Sequence, residues 1–323
     1  MFSDPLDPGA IEALVTGRHG APFDVLGRHV MSLNGEQVTI VRVFAPGARE
    51  VAVVPPDGEP LAMQRLRPEG LFSLVAPGAT LGDDYLLDVR RSDRPDERSD
   101  RPDERIADPY SFPPLLSDYD LYLIGEGSHQ DLYERLGAHP QRIREVDGVA
   151  FAVWAPNARR MSVVGDFNGW DERVHPMRMR SNGIWELFIP GVTIGGLYKY
   201  AALSWNQGYR VLKADPFAFM AELRPGTASR VWDLGGYVWG DEAWMHAREA
   251  ANGYAAPISV YELHVGSWRP DSGSDASQVS YRALAHELAP YLQEMGYTHV
   301  ELMPIADTPA NAVDSSAIIS APG

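Results

Sequence analysis

The chain has no cysteine in its 323 residues, which excludes a disulfide framework and any thiolate metal site. It is also short of positive charge. Its 28 Lys and Arg stand against 44 Asp and Glu, a net charge of −16. That balance argues against nucleic acid or an anionic membrane surface as partner, because both require a basic face. Neutral ligands such as sugars stay open. No apolar run approaches the roughly 20 residues of a membrane span. The opening MFSDPLDPGAIEALVTGRHG lacks the basic start and apolar core of a signal peptide, so a cytoplasmic location is expected. Tryptophan is missing from the first 150 residues, and all eight lie beyond them. What remains is ordinary globular composition, 45% hydrophobic and 22% charged, at a length that suits about two to three domains.

An internal repeat organises the first 240 residues. VFAPGAREVAVV (43–54) aligns with VWAPNARRMSVV (153–164) at an offset of 110, and FDVLGRH (23–29) aligns with LYERLGAH (132–139). The offset becomes 113 where GLFSLVAP (70–77) meets GIWELFIP (183–190) and Tyr85 meets Tyr198. It falls to 107 where Asp108-Pro109-Tyr110 meets Asp215-Pro216-Phe217. Alternating strand signals broken by Gly, Pro and Asn recur between these points, at spacings that suit β-sandwiches. Two tandem immunoglobulin-like β-sandwiches are therefore expected. A short helix should precede each, PGAIEALVTG before the first and SHQDLYERLG before the second, the latter capped by Ser128 and stopped by Gly137. The change of offset has a visible source: SDRPDER (92–98) is followed at once by an identical SDRPDER (99–105). Such a charged run is tolerated at a solvated hairpin tip.

The first copy is a control for the aromatics of the second. Trp154 answers to Phe44 and Trp185 to Phe72, so both positions are large and apolar in both copies, and core packing is expected of each. Trp170 is different. It lies in GDFNGWD (165–171), where the first copy has only PPDG (55–58) and no aromatic. Gly and Asn there permit a tight turn that holds the indole outward, and an indole face stacks on the C–H face of a hexose. Packing against its own turn is the competing reading. Lys199 answers to Leu86, while Trp205 and Tyr209 fall in the hairpin occupied in the first copy by the charged duplication. These three are candidates to complete a sugar site beside Trp170.

GDFNGWD, YKY (198–200) and ADPFA (214–218) together resemble a family 48 carbohydrate-binding module. In such modules the Trp of the matching turn and the Lys of the matching strand contact glucan. The resemblance thus implies that role for Trp170 and Lys199. It matches Trp205 and Tyr209 less cleanly, because the hairpin lengths differ.

Beyond a linker, ISVYELHVGSW (258–268), YRALAHELAPYLQEMG (281–296) and THVELMPI (298–305) read as strand, helix and strand. That is the opening of a (β/α)8 barrel, a fold needing roughly 250 residues to close. The expected division is 1–115 and 116–240 for the sandwiches, 241–257 for the linker, 258–310 for the barrel start and 311–323 for an unmatched tail. Glu262 and Glu301 sit in mid-strand, short of the C-terminal ends at which barrel enzymes carry out chemistry, so buried structural bonds are expected of them rather than catalysis. His264 is likewise expected to be structural. ISVYELHVGSWRP and the segment that follows resemble the 1,4-α-glucan branching enzymes of the α-amylase superfamily. That resemblance implies cleavage of an α-1,4-glucan and transfer of the segment to a 6-hydroxyl, with no cofactor. It places the catalytic acids on barrel strands four, five and seven, and no residue of this chain answers to them. The chain as it stands is expected to bind α-glucan or glycogen as a monomer without branching it. A free-standing glucan-binding module, or part of a related debranching or trehalose-releasing enzyme, is the alternative.

Overall fold

A computed structural model describes residues 4–78, 81–91, 103–206, 208–223, 225–251, 253–269 and 281–303. The chain forms two compact units, residues 1–222 with 227–233, and 223–226 with 234–323. The first unit is mainly antiparallel β-structure and holds both copies of the repeat.

In the first copy, helix α1 (Pro8–Val15) precedes strands β1 (Gly27–Leu33), β2 (Glu36–Phe44), β3 (Ala48–Val54), β4 (Leu61–Ala62), β5 (Gln64–Arg67), β6 (Leu71–Pro77), β7 (Leu86–Arg91) and β8 (Glu104–Ala107). They form two sheets, ordered β1-β2-β6-β5 and β4-β3-β7-β8. Val41, Val43 and Phe72 of one sheet pack on Val51, Val53, Leu87 and Val89 of the other, which makes the core of a sandwich. β2 is buried on both faces because α1 covers the outer one, where Leu14 and Val15 meet Phe44 and Leu71. The SDRPDER duplication lies largely outside the described residues. The strands that flank it, β7 and β8, pair antiparallel as a hairpin requires.

The second copy repeats this plan. Helix α2 (Asp118–Glu126) leads to β9 (Gly137–Ile143), β10 (Val146–Trp154), β11 (Ala158–Gly165), β12 (Arg178–Met179), β13 (Ile184–Pro190), β14 (Leu197–Ser204), β15 (Arg210–Lys213), β16 (Met220–Ala221) and β17 (Ser229–Arg230). One sheet is ordered β12-β13-β10-β9 and the other β11-β14-β17-β16, with β15 also on β14. The correspondence reaches irregular detail. The register slips between Ala48 and Glu50 in β3 and between Ala158 and Arg160 in β11, 110 residues on.

Two expectations about the first unit are corrected. The helix before the second sandwich is α2, not the 128–137 segment, which holds only a 3-10 turn at Leu132–Glu134. Ser117 and Asp120 form a capping box at its start, and Gly127 ends it with a φ of 73°. Gly137, proposed as a helix stop, opens strand β9. The second correction concerns Trp154. Trp185 is 1% exposed and belongs to the core, but Trp154 is 57% exposed, whereas its counterpart Phe44 is 6% exposed. α2, which answers to the helix over Phe44, packs on Ala152 and Ile184 and leaves Trp154 exposed.

The repeat also survives as one buried hydrogen bond. Tyr85 donates to Asp108 at 2.5 Å, and Tyr198 donates to Asp215 at 2.6 Å. Burial lifts the Asp108 carboxyl from its ordinary 3.8 to about 6, against the opposing pull of the Tyr85 hydroxyl and the Tyr110 amide. Burial raises Asp215 as well. A carboxyl raised on folding contributes stability that is present below pH 3.8 and lost as pH climbs through 6. For Asp108 that loss amounts to about 2 kcal/mol between pH 4 and 7. Urea midpoints of Asp108→Asn should therefore fall less across that range than those of the parent. Equal slopes would exclude Asp108 as the source.

The second unit contains α3 (Glu242–Ala251), β18 (Val260–Leu263), α4 (Tyr281–Met295) and β19 (His299–Leu302). The expected linker thus carries a helix. β18 and β19 pair in parallel, with α4 between them in sequence. Leu263 and Val265 pack on Leu284 and Leu288 of that helix. Glu262 and Glu301 stand opposite each other in this register and are exposed among the described residues, so the burial expected of them is corrected. His264 shares a hydrogen bond with Ser267.

Candidate functional site

The GDFNGWD turn is fixed residue by residue. At Gly165 a Cβ would collide with the Leu197 carbonyl, so glycine alone fits against β14. Phe167 turns inward onto Phe151, with ring centroids 6.1 Å apart. Asn168 is 2% exposed and locks the bend: its Oδ1 accepts from Gly165 N at 2.9 Å and its Nδ2 donates to Val163 O at 2.8 Å. Gly169 then takes a φ of 62°. Trp170 follows with a φ of 60°, although it is a bulky residue for which the left-handed region is strained. Its indole N–H donates to Asp166 Oδ1 at 3.0 Å, and the side chain remains 38% exposed. The sequence spends backbone strain to present an indole whose polar edge is already satisfied and whose apolar face meets water.

The other three candidates sit on the same sheet. Lys199 pairs with Val164 across β11 and β14, on the face opposite the buried Tyr198 and Tyr200. Its ammonium donates to Thr227 Oγ1 at 2.5 Å. Trp205 and Tyr209 flank the β14–β15 turn and are 68% and 64% exposed. The Arg159 guanidinium lies 5.7 Å from the Trp205 ring centroid and steadies it. Lys199 and Trp205 are six residues apart, about 20 Å of extended chain. The turn closes part of that gap. Glu172, two residues after Trp170, forms an ion pair with Arg210, the neighbour of Tyr209, and its carbonyl accepts from Arg160 at 2.7 Å. Register places Arg160, Leu203 and Arg210 on the same face as Lys199. Trp170, Trp205 and Tyr209 thus belong to two loops tied at one point, with Lys199 at the far end of the shared strand.

The Glu172–Arg210 tie was not found in the sequence. Its signal is weak, since opposite charges 38 residues apart in two loops have no fixed spacing. Their pairing holds the turn against the hairpin. The face as a whole can bind a flat, neutral, hydroxyl-rich molecule, with two indoles and a phenol for its C–H faces and Lys199 and Thr227 for its hydroxyls. Among the described residues, no group of three His, Asp or Glu side chains converges as a metal site.

Comparison with known proteins matches a family to each copy of the repeat. Residues 135–218 match the family described as carbohydrate-binding module 48, isoamylase N-terminal domain, and residues 7–110 match the N-terminal domain of the alpha-1,4-glucan branching enzyme GlgB. The 1,4-alpha-glucan branching enzyme GlgB of Rubrobacter xylanophilus is 50% identical over 93% of this chain. This sequence matches the N-terminal part of the 1,4-α-glucan branching enzymes. The branching enzymes of Rhodospirillum rubrum and Cereibacter sphaeroides are 45% and 48% identical over the same share. The chain spans 39% of the Rubrobacter relative and 40% of the Rhodospirillum one. Among solved structures, a putative α-amylase from Salmonella typhimurium superposes with a TM-score of 0.39 at 26% identity, covering 53% of this chain and 25% of that one, an overlap too loose to bear on the fold. No helix among the described residues is long and apolar enough to cross a membrane.

Proposed function

We propose that the second sandwich of this chain binds α-1,4-glucan in the service of a branching enzyme, through Trp170 with Lys199, Trp205 and Tyr209. The whole activity cuts an α-1,4-glucan and transfers the segment to a glucose 6-hydroxyl, which makes it part of cytoplasmic glycogen synthesis. The observation that carries the reading is the strained GDFNGWD turn, which presents an indole by means that core packing does not require. In this reading the β18–α4–β19 unit is the start of a (β/α)8 barrel, a role its parallel pairing supports. Both sandwiches belong to the immunoglobulin-like class, bounded near residues 1–115 and 116–240, and the chain works as a monomer.

Catalysis is not assigned to any residue described. Glu262 and Glu301 stand opposite each other on one parallel pair and are exposed, and among the described residues their surroundings do not differ in a way that would divide acid from nucleophile. The test is native electrophoresis of the 323-residue chain through gels with and without glycogen. Retardation by glycogen but not by α-1,6-linked dextran is the expected result. Equal mobility in both gels would overturn the reading.

A further inference from the structure

Trp154 is the large aromatic that the repeat leaves unexplained. It occupies the strand position that Phe44 holds in the first copy, at an offset of 110. There the smaller ring is buried beneath α1, together with Leu14, Val15 and Leu26. In the second copy α2 covers the neighbouring Ile184 and Ala152, yet the larger ring is left 57% exposed. An exposed indole gains nothing from burial, so its fixed orientation calls for another account.

That orientation is fixed at two levels. The indole N–H donates to Asn182 O at 3.0 Å. Asn182 is itself held in a left-handed conformation, φ 60°, and its Nδ2 donates to Leu121 O at 2.8 Å. The polar edge is satisfied within the protein, and the apolar face points to water. Trp170 is presented in the same manner, with its N–H on Asp166 and a left-handed residue in its turn. Beside Leu121 on α2 is Tyr122, 56% exposed, with its hydroxyl donating to Glu126 Oε1 at 2.6 Å. Tyr122 and Glu126 thus stand on the helix to which the indole tether is tied through Leu121, and a phenol and a carboxylate there can supply a stacking face and acceptors for hydroxyl groups.

The two indoles belong to different sheets of the sandwich. Trp154 belongs to β10 in the sheet β12-β13-β10-β9, whereas Trp170 follows β11 of the other sheet. Inner positions Phe151, Val153 and Trp185 fill the core, so Trp154 points out from its own sheet. Facing sheets lie about 10 Å apart, which separates Trp154 from the strand that leads into the Trp170 turn.

We propose that Trp154, with Tyr122 and Glu126, forms a second α-glucan platform on the other sheet, so that one sandwich holds two glucan strands. This rests on the glucan-binding reading of Trp170 and adds to it a second site and a stoichiometry of two.

Calorimetric titration of the full chain with maltoheptaose tests both. The parent should bind two molecules, Trp154→Ala and Trp170→Ala one each, and the double variant none. In glycogen gels Trp154→Ala should lose about tenfold in apparent affinity, since two linked sites reinforce each other. Trp154→Tyr, which keeps an aromatic face, should recover most of that, and Tyr122→Ala should weaken the same site without disturbing the indole tether. If the parent binds one molecule that Trp170→Ala removes, or if Trp154→Ala leaves binding unchanged, the second platform is overturned and the first survives. No binding by the parent would overturn the glucan reading itself. An unchanged far-ultraviolet spectrum identifies folded variants, and the Tyr122 result decides the matter should Trp154→Ala fail to fold.

Discussion

Trp170→Ala should weaken retention on glycogen by about thirtyfold, the loss expected when a central aromatic anchor worth about 2 kcal/mol is removed. The turn itself should persist. Its bend is held by Asn168, Gly165 and Gly169, none of which uses the indole. A left-handed backbone costs a non-glycine residue roughly 1–2 kcal/mol, and Trp170 carries that strain at a φ of 60°. Trp170→Gly should therefore be more stable than Trp170→Ala by about 1 kcal/mol while binding glycogen no better. A residue kept for packing would give a different outcome, with both variants losing stability and neither losing affinity disproportionately. Glycogen affinity electrophoresis and thermal melts on the same three proteins separate the two cases. Strain retained at a position where glycine is the easier choice is the physical mark of a residue held for its face.

Much of this architecture was legible because the chain repeats itself. An offset of 110 in sequence became an offset of 110 in strand position and in the register slips of β3 and β11. The same offset carries Pro8–Val15 onto α2, and Ser117 with Asp120 is a capping signal, so the second helix was recoverable as well. It was missed because Ser128 and Gly137 bracket a plausible helical segment, and local propensity does not show which of two candidates the tertiary core will cover. Trp154 failed for a related reason. An apolar residue in both copies means burial only if the same element lies over both, and periodicity carries no information about that cover. The outward indole of Trp170 was readable, since Asn168 and Gly169 specify the bend. The ion pair that ties its turn to the β14–β15 hairpin was not.

Arg42→Met should destabilise the first sandwich by about 3–5 kcal/mol, because it leaves a buried carboxylate without its cation. Asp4 and Arg42 are each 3% exposed at the side chain and lie 2.7 Å apart. Arg42 Nε reaches both Asp4 oxygens, Ser73 Oγ donates at 2.5 Å, and Leu6 N adds a fourth donor at 3.0 Å. Burial alone would raise the Asp4 carboxyl, but the bonds from Arg42 and Ser73 prevail and hold it below its ordinary value. A carboxyl depressed on folding stabilises above its unfolded value of 3.8 and loses that contribution as pH falls, so the parent should lose part of this stabilisation below pH 4, unlike Asp4→Leu/Arg42→Met. The double variant should also recover most of the single variant's loss, since no charge is left stranded. The second copy solves the same problem with the sign reversed. Arg42 faces Ser73 across β2 and β6, and the equivalent pair across β10 and β13 is Ala152 and Glu186. There the buried charge is the anion, Glu186 at 1% exposure, held by Arg180 at 2.8 Å and by the Leu116 amide of the leading segment at 2.9 Å. In both copies one buried charge on the outer face of the sheet pins the segment that enters the sandwich, so Glu186→Leu should release the 112–118 segment as Arg42→Met releases residues 4–6. Amide exchange that accelerates at Leu116 in the first variant and at Leu6 in the second would establish that equivalence, and unchanged exchange at both would refute it.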